Sequence, residues 1–436
     1  MKKQTIIGAA ICAAWLSCTS PEKTEQENPF VYVENGQFVR HGQPYYYAGA
    51  NFWYGAILGS EGTGGNRTRL LAELDSLKSM GADNLRILVG SDGKRGVPTK
   101  VEPTLQTAPG VYNDTILAGL DFLLSEMRKR DMLAVLYLNN SWEWSGGYGQ
   151  YLEWAGHGKT PVPAVDGWPA FMKHVKQFPQ SEEAKRLFAD HVKFILTRTN
   201  RYTGIRYADD PTVMSWQIGN EPRAFAEENK EAFAQWMEET AALIDSLAPN
   251  QLVSTGSEGL HGCEEDIRLF ERIHANAHVD YMNIHIWPYN WGWAQKDRLT
   301  ECLDSAKRET GKYVEEHLRV ARKYGKPLVL EEFGYPRDGF KFGKDVPTAA
   351  RDTYYGYVFS LIEEHARTKG LLAGCNFWAW GGNAVLSDSR SFWQPGDDYT
   401  GDPAQEEQGL NSVFSTDTTT IRLIRQTNAN LTSAVR

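Results

Sequence analysis

The chain has 436 residues, of which 46 are Lys or Arg and 55 are Asp or Glu, giving a formal net charge of −9. That length suits one large domain or two to three average ones, and the acidic balance without a basic cluster disfavours a nucleic acid partner. Hydrophobic residues at 41% describe a soluble globular chain, in which 14 Trp beside 20 Tyr and 18 Phe form an aromatic excess whose position has to be explained.

Read from the N-terminus, Lys2 and Lys3 precede an apolar run from Thr5 to Leu16, too short to cross a bilayer as a stop-transfer helix and suited to a signal-peptide core. Leu16-Ser17-Cys18 resembles a bacterial lipoprotein processing site, which would leave Cys18 as a lipidated first residue. Trp15 stands where such a site usually has Leu, and cleavage to a free soluble protein is the alternative. Thr19 to Asn28 is polar and charged, as a tether would be. The expected layout is a leader over 1–18, a tether over 19–29 and one domain over 30–436. The protein would be exported, either anchored in the cell envelope and facing the surface or periplasm, or secreted. The only membrane contact expected is the lipid.

Next, Phe30–Val33 and Phe38–Arg40 flank Asn35-Gly36, a hairpin signal. Eight short apolar runs follow, at Tyr45–Ala50, Asn84–Leu88, Leu133–Leu138, Val213–Ile218, Leu252–Thr255, Tyr281–Ile284, Pro327–Leu330 and Gly374–Trp378. They alternate with helical patterns at Thr68–Met80, Ile116–Arg130, Glu182–Thr199, Glu227–Leu247, Glu264–Ala275, Lys312–Lys323, Thr348–Lys369 and Thr418–Arg425. This order predicts an α/β fold, a (β/α)8 TIM barrel with the hairpin closing its bottom. Two long stretches without regular patterning, Asn139 to Pro179 and Gly381 to Ser415, follow the third and eighth strands and belong on the top face, where barrel active sites lie.

Cys263, Cys302 and Cys375 remain outside the leader, without CxxC spacing. Buried free thiols or a single Cys263–Cys302 bridge both fit. His274 and His278 are spaced i,i+4 like metal ligands but lack an HExxH context, so no metal is expected.

Two strand ends carry the chemistry. The fourth strand runs into Asn220-Glu221-Pro222-Arg223, and the seventh into Leu330-Glu331-Glu332-Phe333-Gly334. Strand alternation sends Glu331 and Glu332 to opposite faces, so at most one reaches the barrel axis. Glutamates from these two strands can converge across the mouth, and carboxylates about 5 Å apart suit retaining glycoside hydrolysis.

With these motifs the sequence resembles glycoside hydrolase family five, and within it the endo-β-mannanases, from Gly49-Ala50-Asn51-Phe52-Trp53 to Asn376-Phe377-Trp378-Ala379-Trp380-Gly381-Gly382. The resemblance implies Glu221 as general acid/base and Glu332, rather than Glu331, as nucleophile. Arg86 would hydrogen-bond the nucleophile, Asn220 would contact the sugar 2-hydroxyl, His285 would occupy the family's sixth-strand position, and Trp378 would floor the cleaved sugar's subsite. The loop Leu138 to Gly147 and the segments around Trp53 and Arg223 resemble those of the mannanases, adding Trp53, Asn139, Trp142 and Arg223 as substrate-binding residues. Trp287 stands where the family commonly has a Tyr that donates to the nucleophile; an indole N–H can donate but not accept.

The implied activity is retaining hydrolysis of internal β-1,4-mannosidic bonds in mannan, glucomannan or galactomannan by a monomer without cofactors. A β-1,4-glucanase, an exo-acting mannan hydrolase and a non-catalytic polysaccharide-binding lipoprotein are the alternatives. Trp53, Trp142, Trp144, Trp154, Trp287, Trp291, Trp293, Trp378, Trp380 and Trp393 fall at strand ends or on top-face loops, which predicts an aromatic carbohydrate groove.

Overall fold

A computed structural model describes residues 28–435. The leader, Cys18 and most of the tether lie outside the described residues. Among the described residues no helix is long and apolar enough to cross a membrane.

The eight apolar runs form the barrel strands β1 (Tyr47–Asn51), β2 (Asn84–Leu88), β3 (Leu133–Tyr137), β4 (Val213–Gln217), β5 (Leu252–Ser254), β6 (Met282–Ile286), β7 (Leu328–Phe333) and β8 (Leu372–Phe377). Each is buried along its whole length, which is why the sequence shows continuous apolar runs rather than alternation. All neighbouring pairs are parallel, in the order β5-β4-β3-β2-β1-β8-β7-β6. The ring closes between β5 and β6. There the Asp280 N–H donates to the Val253 carbonyl at 2.9 Å, and Asn283 Oδ1 accepts from the N–H groups of Thr255 and Gly256 at 3.1 and 2.8 Å. The expected TIM barrel is therefore formed.

Helices cover the barrel between strands, and side-chain caps start several of them. Asn66 accepts from the Arg69 N–H and Ser181 from the Ala184 N–H, each cap contributing about 1 kcal/mol. The helix expected at Lys312 begins nine residues earlier, spanning Leu303–Tyr324, because Leu303, Ala306, Thr310, Tyr313 and Val314 already hold the buried face. The last helix, Thr418–Ala434, runs past Arg425 because its inner face is partly polar. Asn428 on that face pairs with both the N–H and the carbonyl of Ala48 in β1.

The hairpin strands Tyr32–Glu34 and Gln37–Arg40 turn through Asn35 and Gly36, both at positive φ (52° and 76°), as an Asn-Gly turn favours. A third short strand, Gln43–Pro44, joins them. Phe38 from this sheet plugs the N-terminal ends of the barrel strands, in a cluster with Tyr47, Leu133, Met214, Leu252, Tyr281 and Val329.

Two expectations need correction, and the state of the thiols, which the sequence left open, is decided. The stretch after β3 is not irregular: it folds into the helices Gly147–Trp154 and Trp168–Val175, each eight residues and too short to show a sustained period. Cys263, Cys302 and Cys375 are all free thiols, and Cys302 is only half-buried. Glu331 and Glu332 do not lie on opposite faces. The β6–β7 register shifts between Ile284 and His285, so that Ile284 faces Leu330 while His285 faces Glu332. The extra residue turns both glutamates toward the barrel interior, where Glu331 is 0% and Glu332 2% exposed.

Candidate active site

Arg86, in the middle of β2 and fully buried, organises the top of the barrel interior. Its guanidinium donates to Gln217 Oε1 at 2.8 Å, Asn51 Oδ1 at 3.2 Å and Asn220 Oδ1 at 2.9 Å, and pairs closely with Glu332. Glu331 lies 3.9 Å from Arg86 Nε and accepts hydrogen bonds from Gln217 Nε2 and from the Tyr281 hydroxyl at 3.1 Å. One arginine thus faces two adjacent buried carboxylates, each with its own donors. The Arg86 guanidinium also lies 4.4 Å from the centre of the Tyr137 ring, where the ring face favours a cation.

Glu221 follows β4 with φ at 51°, in the left-handed region that non-glycine residues seldom occupy, and strain of this kind is characteristic of functional sites. Its N–H donates to the Gly256 carbonyl at 2.9 Å, which fixes the turn. Trp142 Nε1 donates to Glu221 Oε2, and His285 Nδ1 lies 2.8 Å from Oε1. His285 Nδ1 is also 3.4 Å from Glu332. One oxygen of Glu221, one of Glu332 and a nitrogen of His285 all fall within 4.8 Å of one another.

Burial drives the titration of this group. It pushes His285 well below its usual value, so the imidazole is neutral. It raises Glu221, against the lowering effects of Arg223, Trp142 and Arg86. It also raises Glu332, opposed by Arg86 and reinforced by the charge of Glu221. The two glutamates therefore hold one proton between them well above the ordinary carboxylate range. The direct bond from Arg86 to Glu332 favours the negative charge on Glu332 and the proton on Glu221. The same three residues could in principle ligate a metal, but the Arg86 guanidinium against Glu332 already supplies the positive charge and would repel a cation.

The cleft above these residues has a volume of about 510 Å³. Of the residues expected to bind substrate, Trp142, Asn220, Arg223, Trp287 and Trp378 line it beside Glu221 and Glu332, while Arg86 and His285 support it from beneath. Trp287 packs 5.9 Å from Trp378, and among the described contacts its indole makes no hydrogen bond to Glu332. Two expected residues do not reach the cleft. Trp53 is 2% exposed and donates to the Gly401 carbonyl at 2.8 Å, bracing the loop after β8. Asn139 is fully buried and accepts from the Asn140 N–H at 2.7 Å.

Several cleft residues carry no assigned role in the sequence reading. Trp168 lies half-exposed at the rim, edge-on to Trp142 at 6.0 Å. Glu258, just after β5, pairs with Arg223, whose guanidinium sits 5.2 Å over the Trp142 ring. A carboxylate at a strand's C-terminal end was a legible signal there. Glu143, Gln405 and Glu406 come from the two long loops and line the cleft, and each also has a buried oxygen without a protein partner. Burial pushes Glu143 up to about 7 and Glu406 up to about 8. Of the expected rim tryptophans, Trp144 and Trp291 also line the cleft, whereas Trp380 is core and donates to Glu73 at 2.9 Å. His274 is no metal ligand: it bridges the Phe270 carbonyl and the Thr255 hydroxyl, both at 2.8 Å, and His278 pairs instead with Asp245 at 2.7 Å.

A family model described as "GH family 5 beta-mannosidase-like" matches residues 28–436. A putative mannan endo-1,4-beta-mannosidase 9 of Oryza sativa subsp. japonica is 29% identical, the match covering 84% of this chain and 85% of the plant protein. The crystal structure of a glycoside hydrolase family 5 mannosidase from Rhizomucor miehei superposes with a TM-score of 0.85 at 34% identity, covering 94% of this chain and 99% of the fungal one. An endo-beta-1,4-mannanase from Thermotoga petrophila, at 22% identity and a TM-score of 0.66, covering 89% of this chain and 77% of the other, shares the fold.

Proposed function

The chain belongs to glycoside hydrolase family 5, in its β-mannosidase-like group, and from that premise we propose that it hydrolyses internal β-1,4-mannosidic bonds in mannan, glucomannan or galactomannan with retention of configuration. The observation that carries the reading is the approach of Glu221 and Glu332 to within 4.8 Å in the cleft that Trp378 also lines, since retaining enzymes hold their carboxyl groups about 5–5.5 Å apart. Relatives named as mannan endo-1,4-beta-mannosidases support the choice of substrate.

In the first step Glu332 attacks the anomeric carbon. The bond to the leaving oxygen breaks as Glu221 gives that oxygen its proton, leaving a glycosyl ester on Glu332. Water then enters on the leaving-group side, gives a proton to Glu221 and displaces Glu332, so the free acid and base are restored. Arg86 holds Glu332 ionised and oriented, while Trp142 and His285 hold the two oxygens of Glu221. Asn220, anchored by Arg86 and by a 3.2 Å bond to Asn140, faces the cleft beside Glu221 for the sugar 2-hydroxyl.

Incubation with mannan beside carboxymethylcellulose tests the reading. The expected result is a ladder of manno-oligosaccharides and little release from the cellulose derivative. Mannan bound but uncut, or faster cutting of the cellulose derivative, would overturn it. A second reading, exo action, is favoured by the wall that Gln405 and Glu406 place along the cleft and by the likeness to the R. miehei mannosidase. Mannose as the sole early product would select it. For location, the leader-like sequence alone supports export with Cys18 lipidated; the chain is further proposed to be a monomer. Incorporation of labelled palmitate that is lost in Cys18→Ala, and sedimentation of the mature chain, test these.

A further inference from the structure

A second cavity, of about 350 Å³, opens between the loops that follow β2 and β3, within the range of ligand sites, roughly 300–1,000 Å³. Glu143 lines both this cavity and the catalytic cleft, so the two are neighbours across one side chain. Its walls bring together four cations, Lys94, Arg95, Lys100 and Lys159. Elsewhere in this chain of net charge −9 many surface cations are paired: Arg186 with Glu183 and Asp190, Lys185 with Glu182, Arg322 with Glu315. Among the described residues these four have no carboxylate within 4.0 Å.

Lys100 is 5% exposed and donates to the main-chain carbonyl of Asp92 at 2.8 Å; burial lowers its ammonium from the usual value, against the attraction of Asp92, Glu153 and Glu102. The Asp92 side chain beside it is pushed up to about 8 by burial, so near neutral pH it is largely protonated. Two carboxyl groups stand on the cavity wall. Glu153 is engaged by the Thr160 N–H at 3.0 Å, and Glu143, raised by burial, keeps a buried oxygen unpartnered. Concentrated positive charge around a concave, partly dry site attracts an anion more strongly than the same charges on an open surface. The cleft's own neutral-sugar chemistry does not need it.

We propose that this cavity binds an acidic group, a sugar carboxylate or a sugar phosphate, carried by a substituent of the polysaccharide whose backbone the adjoining cleft cuts. The inference rests on the mannan-hydrolase reading for the identity of the backbone, but its test does not depend on turnover. Calorimetric titration of the mature chain with D-glucuronate, mannose 6-phosphate and mannose should show at least one of the two anions binding tenfold or more tighter than mannose. That binding should weaken with added salt and fall about tenfold in the exposed-residue variant Lys94→Ala/Arg95→Ala/Lys159→Ala, while hydrolysis of unsubstituted mannan stays at the wild-type rate. Binding of glucuronate alone assigns a uronic acid, and of the phosphate alone a phosphorylated sugar. Neither anion binding better than mannose, or a triple variant of unchanged melting temperature that binds as wild type does, would overturn the proposal. A chain that binds the anions in this way but leaves mannan intact would defeat the backbone assignment and leave the anion site standing.

Discussion

At the N-terminal end of the barrel, Phe38 sits edge-on to Tyr281 with ring centres 5.2 Å apart, and the polar groups around it are matched. Arg40 pairs with Asp83 at 2.8 Å and Asp131 at 2.7 Å, the Tyr45 hydroxyl donates to Asp83, and the Tyr46 hydroxyl donates to the Gly370 carbonyl. The buried Tyr47 hydroxyl, Asp210 Oδ2 just before β4 and Asn276 Nδ2 in the loop before β6 are the exceptions at that end. At the C-terminal end, Glu143, Gln405, Glu406, His285 and Trp378 all carry buried polar atoms without a protein partner. The same eight strands thus support one end whose polar groups are largely matched and one that gathers more unpaired buried polar groups around the cleft. An unpaired buried polar atom costs about 1–3 kcal/mol, so the cleft end is built at the expense of stability.

Substitutions at the two ends should therefore separate activity from stability. Glu332→Ala is expected to lower kcat on mannan by roughly 10⁴-fold or more and Glu221→Ala by about 10²–10⁴-fold, each with little loss of melting temperature. Reducing-sugar assays beside calorimetric melts check this. Arg86→Met breaks the separation, because it leaves Glu331 and Glu332 without their cation. Stability should drop by about 3–5 kcal/mol together with activity, seen as a lower urea midpoint. Phe38→Ala should cost about 3–5 kcal/mol at the closed end while kcat/KM at 25 °C stays at the wild-type value; a parallel loss of activity would show that the ends are not independent.

The smallest effect concerns pH. Burial raises Glu143 from 4.5 to about 7, so the unfolded chain releases this proton first. Its contribution to stability is fully present below about 4.5 and is lost as pH rises through about 7. Glu143→Gln should remove that part of the decline, gaining about 1–3 kcal/mol at pH 8 and nothing at pH 4. Melting curves across this range measure it.

The strands, and the resemblance that singles out Glu221, Glu332 and Arg86, were legible because a parallel barrel strand is a short apolar run and because strand-end carboxylates interrupt it abruptly. The bulge that turns Glu331 inward was not, since alternation assumes a regular pleat and the register shift arises only when β7 pairs with β6. Trp53 and Asn139 sit in motifs of the family yet serve as packing, and nothing local distinguishes an indole that braces a loop from one that faces a sugar. Trp168, Gln405 and Glu406 come from segments whose path is set by tertiary contacts, such as the stacking of Tyr148 on Phe178 at 3.9 Å, and these leave no periodic trace.

The assignment of adjacent glutamates to different tasks is the central claim, with Glu332 as the attacking group and Glu331 as a buried counter-charge beneath Arg86. A 2-deoxy-2-fluoro-β-mannosyl fluoride slows the second step more than the first and should trap the ester. Mass spectrometry of the digested protein should then place one sugar on Glu332. A label on Glu331 or Glu221, or inactivation without any covalent adduct, would contradict the account.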